Sequence, residues 1–445
     1  MVLSLAPRSR PAPAPATAPA ADFSAARALE QVRAIAQKPH PVGSAEHDRV
    51  RDYIQAALAR QGLNPQLEAG HAELSRGRFH AAADVENIVA RLPGAANTKP
   101  VMLAAHYDSA TRGPGAGDDG HGVAVLLETL RALRAGPPLR NDVIFLITDG
   151  EERGMLGAVL FMREHPWHTE PAVTLNFEAR GTAGSATMFE TSADNEWLVR
   201  GLAEAVPQAD AVSVAYEIYR RMPNNTDLSI FKLGGLAGMN FAFIEHPEYY
   251  HTAQDTIDHL DPVSVQEQGR YALSLVRWFG NRDLSRHASG DAVYFTTAFT
   301  PLIVYPVRWV GIVLAITLLV GVAAEWAGRR RHVRGLRIGY PLVLLVALEW
   351  WVSKQAPGAS YLIAWPLLGG MLAALLLATA PPVLGLGWRV AAMALCAAPA
   401  FLLVVPLLPG LVVALTLSGA APVIAAFTAL MLICVLPQLV LILRR

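Results

Sequence analysis

A change of character between Arg286 and Phe299 divides this chain and limits what it can become. Before it, charged, polar and apolar residues mix as in a globular domain. After it the sequence is almost entirely apolar, with a few charged breaks. Five stretches there, about Leu302–Ala324, Leu336–Val352, Tyr361–Leu384, Val390–Leu417 and Ala420–Leu443, bracket the roughly 20 residues a helix needs to cross a bilayer. The second carries Glu349, a functional group if deep in lipid and an interfacial one if at the helix end. Pro399, Pro406 and Pro409 interrupt the fourth, which predicts a kink or a re-entrant segment. Trp309, Trp326, Trp350, Trp351 and Trp388 fall near the predicted ends, as interfacial aromatics do. The competing reading, a buried soluble helical bundle, suits runs this long and uncharged poorly. Residues 300–445 are therefore expected to form an all-α, multi-span transmembrane domain of about five helices in a lipid bilayer. The stretch Arg329-Arg330-Arg331-His332-Val333-Arg334 follows the first span, and Arg389 and Arg444-Arg445 share its side if five spans are counted. Positive charge marks that side as cytoplasmic, so the globular part is expected on the non-cytoplasmic side. The N-terminal apolar run is too short for a secretory signal, so export falls to the first span or to sequence upstream.

At 445 residues the chain exceeds one ordinary domain. Its formal net charge is zero, which gives no electrostatic case for a nucleic-acid partner. The two cysteines, Cys396 and Cys434, both lie in the apolar tail. That excludes a disulfide scaffold and a Cys–His nucleophile in the globular part. Residues 1–22, rich in Pro and Ala, read as a disordered arm. Helical stretches Phe23–Gln37 and Ala45–Gln61 follow. Apolar runs at Val85–Leu92, Val101–His106, Asp142–Thr148, Val173–Phe177 and Gly238–Ile244 then alternate with helical patterns at Gly122–Leu133, Leu156–Glu164, Asp194–Ala205 and Ser264–Phe279. Continuous apolar strands between helices predict an α/β domain over residues 23–285 with a buried, largely parallel centre.

Five clusters in that domain carry candidate chemistry. His106-Tyr107-Asp108-Ser109 follows a strand; an imidazole there can bind a metal while a carboxylate two residues on accepts its other N–H. Alone, His-x-Asp is commonly an ordinary polar loop. Gly115-Ala116-Gly117-Asp118-Asp119-Gly120-His121-Gly122 opens a helix. Its glycines allow a close bend, and its two acids could bridge cations. An N-cap role explains one acid and leaves the second unexplained. Asp149-Gly150-Glu151-Glu152 lies past the strand ending at Thr148, where α/β ligand sites form. One glutamate could ligate metal while the other moves protons, or both could be solvated. Asn176-Phe177-Glu178-Ala179-Arg180 is again at a strand end, and Tyr249-Tyr250-His251-Thr252, with Asp255 nearby, precedes the last helix. Together these supply two histidines and several carboxylates, the mixed nitrogen and oxygen donors of hydrolytic zinc sites. His71, His80, His165, His168 and His259 lack such partners and read as surface residues; His121 matches no ligand position.

The order of these five clusters resembles the zinc aminopeptidase family M28 over about residues 23–283. The multi-span tail and the segment Asn225–Phe231 are similar to that family's vacuolar and endoplasmic-reticulum membrane branch. The resemblance implies a three-layer zinc-exopeptidase domain with a mixed, mostly parallel sheet. It implies two zinc ions per chain, one held by His106 and Glu178, the other by Glu152 and His251, with Asp118 bridging. Asp108 would orient His106, and the peptide to Asp119 is often cis in the family. Glu151 would be the general base that passes a proton from the attacking water to the leaving amine, and Tyr250 would stabilise the oxyanion. Arg180 departs in charge from family members and either reads a substrate carboxylate or pairs with a nearby acid. The implied activity is that of a membrane-anchored exopeptidase, foremost an aminopeptidase acting on peptides. The alternatives are glutaminyl cyclisation and an inactive receptor or scaffold. Inactive relatives lose ligands, whereas every position of the set is filled here. The sequence gives no signal for oligomeric state.

Overall fold

The computed structural model describes residues 10–77, 79–297, 300–330 and 339–379. In chain order the elements are α1 (Ala25–Ile35), α2 (Ala45–Arg60), β1 (Gln66–Arg76), β2 (Phe79–Leu92), β3 (Val101–His106), α3 (His121–Arg134), β4 (Val143–Thr148), α4 (Leu156–Glu164), β5 (Val173–Ala179), β6 (Thr187–Thr191), α5 (Glu196–Ala205) and β7 (Asp210–Ala211). They continue with α6 (Ser213–Tyr219), α7 (Asp227–Leu233), β8 (Gly238–Phe243), α8 (Pro262–Gly280), β9 (Ala292–Thr297), β10 (Thr300–Pro306), α9 (Trp309–Arg330), α10 (Gly339–Gln355) and α11 (Tyr361–Thr379). Two compact units emerge among the described residues. One comprises residues up to Ala211 with Pro223–Gly290; the other comprises Val212–Met222 with residues from Asp291 onward.

The first unit is built on one mixed eight-stranded sheet in the order β1-β2-β4-β3-β5-β8-β6-β7. Its centre, β4-β3-β5-β8, is parallel throughout. These four strands are buried at every residue, which is why they read as unbroken apolar runs rather than alternating ones. Met102, Ala104, Ile144 and Leu146 pack with Phe161 of α4 and with Leu228 and Phe231 of α7. Helices α1, α3 and α8 pack together as a separate layer, α3 meeting β3 and α8 meeting β3 and β8. Thus the mixed α/β sheet follows the expectation.

Several elements do not. β1 and β2 form a long antiparallel hairpin across Gly77, whereas the sequence reading begins its first strand only at Val85. β6, β7, α6 and α7 were also not anticipated. The arm is another departure: from Arg10 to Asp22 it is packed rather than disordered. A proline-rich segment offers few N–H donors but keeps its carbonyls, and arginines take them. Arg27 donates to the carbonyls of Ala16 and Ala18, Arg131 to those of Ala20 and Asp22, and Arg277 to that of Ala21. Arg10 pairs with Asp261 and Glu267. His165, expected at the surface, is buried and stacks on Phe161 at 4.9 Å.

In the second unit, β9 and β10 form an antiparallel hairpin. Leu302–Pro306, expected inside the first membrane span, is therefore strand: Ile303, Val304 and Tyr305 pair with Phe295, Tyr294 and Val293. Branched and aromatic residues suit a pleated surface as well as a lipid one. Val214, Val293, Phe295, Tyr305, Val310, Leu314, Tyr361 and Leu362 form one apolar core. The segment Val212–Met222 joins this unit through Ser213, whose hydroxyl donates to Gly358 at 2.6 Å, and through Glu217, which accepts from the Gly358 N–H at 3.0 Å. Among the described residues one helix, Trp309–Ala327, is long and apolar enough to cross a membrane. α10 and α11 overlie the second and third expected spans; the fourth and fifth lie outside the described residues.

Candidate metal centre

Each candidate site residue lies at or just past the carboxyl end of a parallel strand, or in the loop that packs there. His106 ends β3, Glu151 and Glu152 follow β4, Glu178 lies in β5, and His251 follows β8. Because all four strands run the same way, residues far apart in sequence converge.

Asp118 stands between the two histidines. One carboxylate oxygen lies 3.2 Å from His106 Nε2 and the other 3.0 Å from His251 Nε2. Glu178 adds an oxygen 3.7 Å from His106 Nε2, and Glu152 one 3.0 Å from His251 Nε2. The ligand atoms of Asp118, Glu152 and His251 lie within 4.8 Å of one another, as do those of His106, Asp119 and Glu178. In the latter group Asp119 is already occupied: its oxygens accept the main-chain N–H of His106 at 3.2 Å and of Gly122 at 3.1 Å. Asp118 makes no such main-chain bond and is the better bridging group. The peptide between Asp118 and Asp119 is cis.

The backbone that presents Asp118 is held tightly. Asp255 accepts from Gly117 N at 2.6 Å and from Asp118 N at 3.1 Å. A Cβ on Gly117 would come within 2.6 Å of the Gly181 carbonyl, so only glycine allows this approach. His121 is fully buried beneath, its ring nitrogens 2.5 Å from the Gly117 carbonyl and 2.6 Å from Gln268 Oε1. His251 adopts φ +59, the left-handed region that few residues other than glycine enter, histidine more readily than most.

Asp108 does more than the sequence suggests. His106 Nδ1 lies 2.9 Å from the Asp108 carbonyl and 3.5 Å from its carboxylate. That carboxylate accepts the main-chain N–H groups of Glu151 at 3.0 Å and Glu152 at 3.2 Å. One residue thus orients His106 and fixes the loop carrying Glu151 and Glu152. Behind that loop His47 bonds Asp149 at 2.7 Å and stacks on Tyr107 at 4.8 Å. Asn87 accepts from Asp149 N at 3.0 Å. The available sequence signal was a histidine on the buried stripe of α2, with Val50, Ile54 and Leu58. Asp227, bonded by Thr148, was likewise missed.

The electrostatics demand positive charge. Burial drives Glu151, Glu178 and Asp119 well above the usual carboxylate range, and neighbouring carboxylates add to the effect on each. Burial and Asp118 push Glu152 to about 7, and burial pushes Asp227 to about 6. Burial opposes protonation of His251, yet Asp118 and Glu152 raise it to about 10. Asp118 moves the other way, held low against burial by His106 and His251. Glu152 Oε1 is buried without a partner, a donor atom aimed at nothing the protein supplies. Two imidazoles with facing carboxylates and an orphaned oxygen fit cations of borderline softness such as zinc.

Tyr250 stacks on His251, ring centroids 3.7 Å apart, and the Arg180 guanidinium lies 5.2 Å from the centroid of the Tyr250 ring. All of the residues expected from the sequence therefore converge, with Arg180 at the margin.

Residues 87–276 match the model of peptidase family M28. Over this segment the chain is similar to that family. Over 321 residues the chain is 32% identical to endoplasmic reticulum metallopeptidase 1 of Rattus norvegicus, covering 66% of this chain and 35% of the relative. It is 28% identical over 318 residues to a vacuolar membrane protease of Yarrowia lipolytica, covering 66% and 32% respectively. The chain thus spans about a third of the length of these curated relatives. A zinc aminopeptidase from Bacillus subtilis superimposes with a TM-score of 0.48 at 15% identity, over 60% of this chain and 97% of that one.

Proposed function

We propose that this M28 unit is a two-zinc exopeptidase that removes N-terminal residues from peptides. The observation that carries the reading is Asp118, with one oxygen toward each histidine and a separate carboxylate beside each. His106 and Glu178 would hold one ion, Glu152 and His251 the other, with Asp118 shared. When bound, zinc supplies the Lewis acid for the attacking water and the scissile carbonyl. Glu151 has a pKa raised by burial, which suits a group that must both take and return a proton. It accepts the proton of the attacking water and delivers it to the leaving amine. Tyr250, its phenol kept protonated by burial and by Asp118 and Glu152, donates to the developing oxyanion. Asp108 keeps Glu151 and Glu152 in register through their main-chain N–H groups. Residues 300–445 would anchor the enzyme in a bilayer by several spans, beginning with the helix Trp309–Ala327, with the catalytic unit on the non-cytoplasmic side.

The test is metal content and hydrolysis of aminoacyl-anilides by the detergent-purified chain, beside Glu151→Gln. Two zinc per chain, turnover in the wild type and metal-loaded inactivity in the variant are expected. One zinc with cyclisation of N-terminal glutamine would replace the reading by the cyclase one. Absence of zinc and of turnover would leave a receptor or scaffold.

A further inference from the structure

Arg180 is the one residue of the converging set whose role the mechanism does not use. It lies one residue beyond β5, its N–H still paired with the Phe243 carbonyl at 2.9 Å. The two-residue period of an extended strand therefore aims it to the same side of the sheet as Glu178. Its guanidinium sits 5.2 Å from the centroid of Tyr250, whose other neighbour is His251. A cation here stands beside the reacting centre.

Of the two readings the sequence leaves open, pairing with a nearby acid finds no support. Among the described residues no carboxylate lies within ion-pair distance of Arg180. Its hydrogen-bonding neighbour is neutral: with its carboxamide oxygen turned inward, Asn224 accepts from both terminal nitrogens, one at 3.0 Å. The Nε atom is buried and has no partner. A half-buried guanidinium normally finds an anion, because an uncompensated charge out of bulk water is costly. Here the compensating anion is missing from the protein at a point where a bound peptide would lie. The surrounding carboxylates would otherwise repel an anionic substrate, so a positive group at the margin has a selective use.

We propose that Arg180 is a carboxylate-recognising residue, and that this enzyme prefers peptides bearing a carboxylate next to the scissile bond. The carboxylate comes either from an acidic N-terminal side chain or from the free C-terminus of a dipeptide. Arg180 meets it through nitrogen donors not used by the protein, and Asn224 and Tyr250 hold the guanidinium plane in place. This inference rests on the peptidase reading above.

The experiment uses the zinc-loaded full chain and pairs of substrates differing only in charge. Aspartyl- and glutamyl-anilides are compared with asparaginyl- and glutaminyl-anilides, and leucyl-alanine with leucyl-alanine amide. Expected is a preference of about 10- to 100-fold in kcat/KM for the acid in one of the two pairings. The pairing that shows it identifies the source. In Arg180→Met, with zinc content and melting checked, that ratio should collapse to about one, and in Arg180→Lys it should be partly restored. A wild-type ratio at or below one in both pairings overturns the proposal even if Arg180→Met does not fold. Equal loss on charged and neutral substrates in Arg180→Met also overturns it, assigning Arg180 to holding Tyr250. Failure of every substrate despite bound zinc would instead refute the peptidase reading itself, and this proposal with it.

Discussion

Replacing Asp108 by asparagine tests whether one carboxylate organises the site. Asp108 is buried, and its two oxygens accept the N–H groups of Glu151 and Glu152 at 3.0 and 3.2 Å. Asparagine retains one acceptor oxygen but turns an NH2 group toward the other N–H. One charge-assisted bond is lost and one buried donor faces another donor, which costs about 2–3 kcal/mol in total. In a unit of this size the melting temperature should fall by about 4–12 °C. The loop can also relieve the conflict by moving, and a displacement of roughly 1 Å at Glu151, the proposed general base, costs about 100-fold in rate. Because Glu152 moves with Glu151, zinc affinity should fall by about 10- to 100-fold. Chelator competition measures that affinity without reference to turnover, and calorimetry measures the melting. The two readouts separate the outcomes: stability lost with affinity intact means a structural role alone. Zinc affinity and kcat/KM both within about threefold of wild type would refute the idea that Asp108 positions the loop.

Further predictions concern the layer behind the site and its response to pH. His47→Phe keeps the stacking on Tyr107 but leaves the Asp149 carboxylate without its imidazole; a loss of about 3 kcal/mol in denaturant unfolding is expected, and an unchanged midpoint would count against it. Deleting residues 10–22 removes the carbonyls bonded by Arg27, Arg131 and Arg277, and should lower stability by about 1–3 kcal/mol; a disordered arm would leave melting untouched. Without metal, His251 is raised from 6.5 to about 10, so its stabilising proton is fully held below about pH 6.5 and lost as pH rises toward 10. Glu152 is raised from 4.5 to about 7, so its stabilising proton is fully held below about pH 4.5 and lost as pH rises toward 7, below the window of His251. The signs agree: melting of the metal-free chain should fall from pH 5 toward pH 10, and a rise from pH 6 to pH 9 in chelator would contradict the assignment. Zinc needs deprotonated ligands, so its protection against melting should grow over that interval.

The residues of the candidate site were legible because they sit where sequence signals are local. A buried parallel strand reads as an apolar run, and the first polar residues after it mark a strand end: His106 after β3, Asp149 to Glu152 after β4. Two acids together at Asp118-Asp119 could not both be caps, and the structure gives each a different job. What stayed hidden acts across long separations. Asp255 supports Gly117 from 138 residues away, His47 reaches Asp149 across 102, and Gln268 meets His121 across 147. Asp255 was noted beside Tyr249–Thr252 but without this role, and nothing in their immediate neighbours distinguishes His47 or Gln268 from an ordinary helix histidine or polar helix residue. The hairpin of β1 and β2 was hidden for another reason: one face is solvent-facing, with His71 and Glu73 exposed, and Glu68 interrupts the inward face, where it bonds Asn87. Leu302–Pro306 failed in the opposite direction, since apolarity alone does not separate a strand buried in protein from a helix buried in lipid. Arg180 shows where the two levels meet. Its sequence position marked it as a departure in charge, but only the neutral identity of its neighbour, Asn224, turns that departure into a statement about substrate.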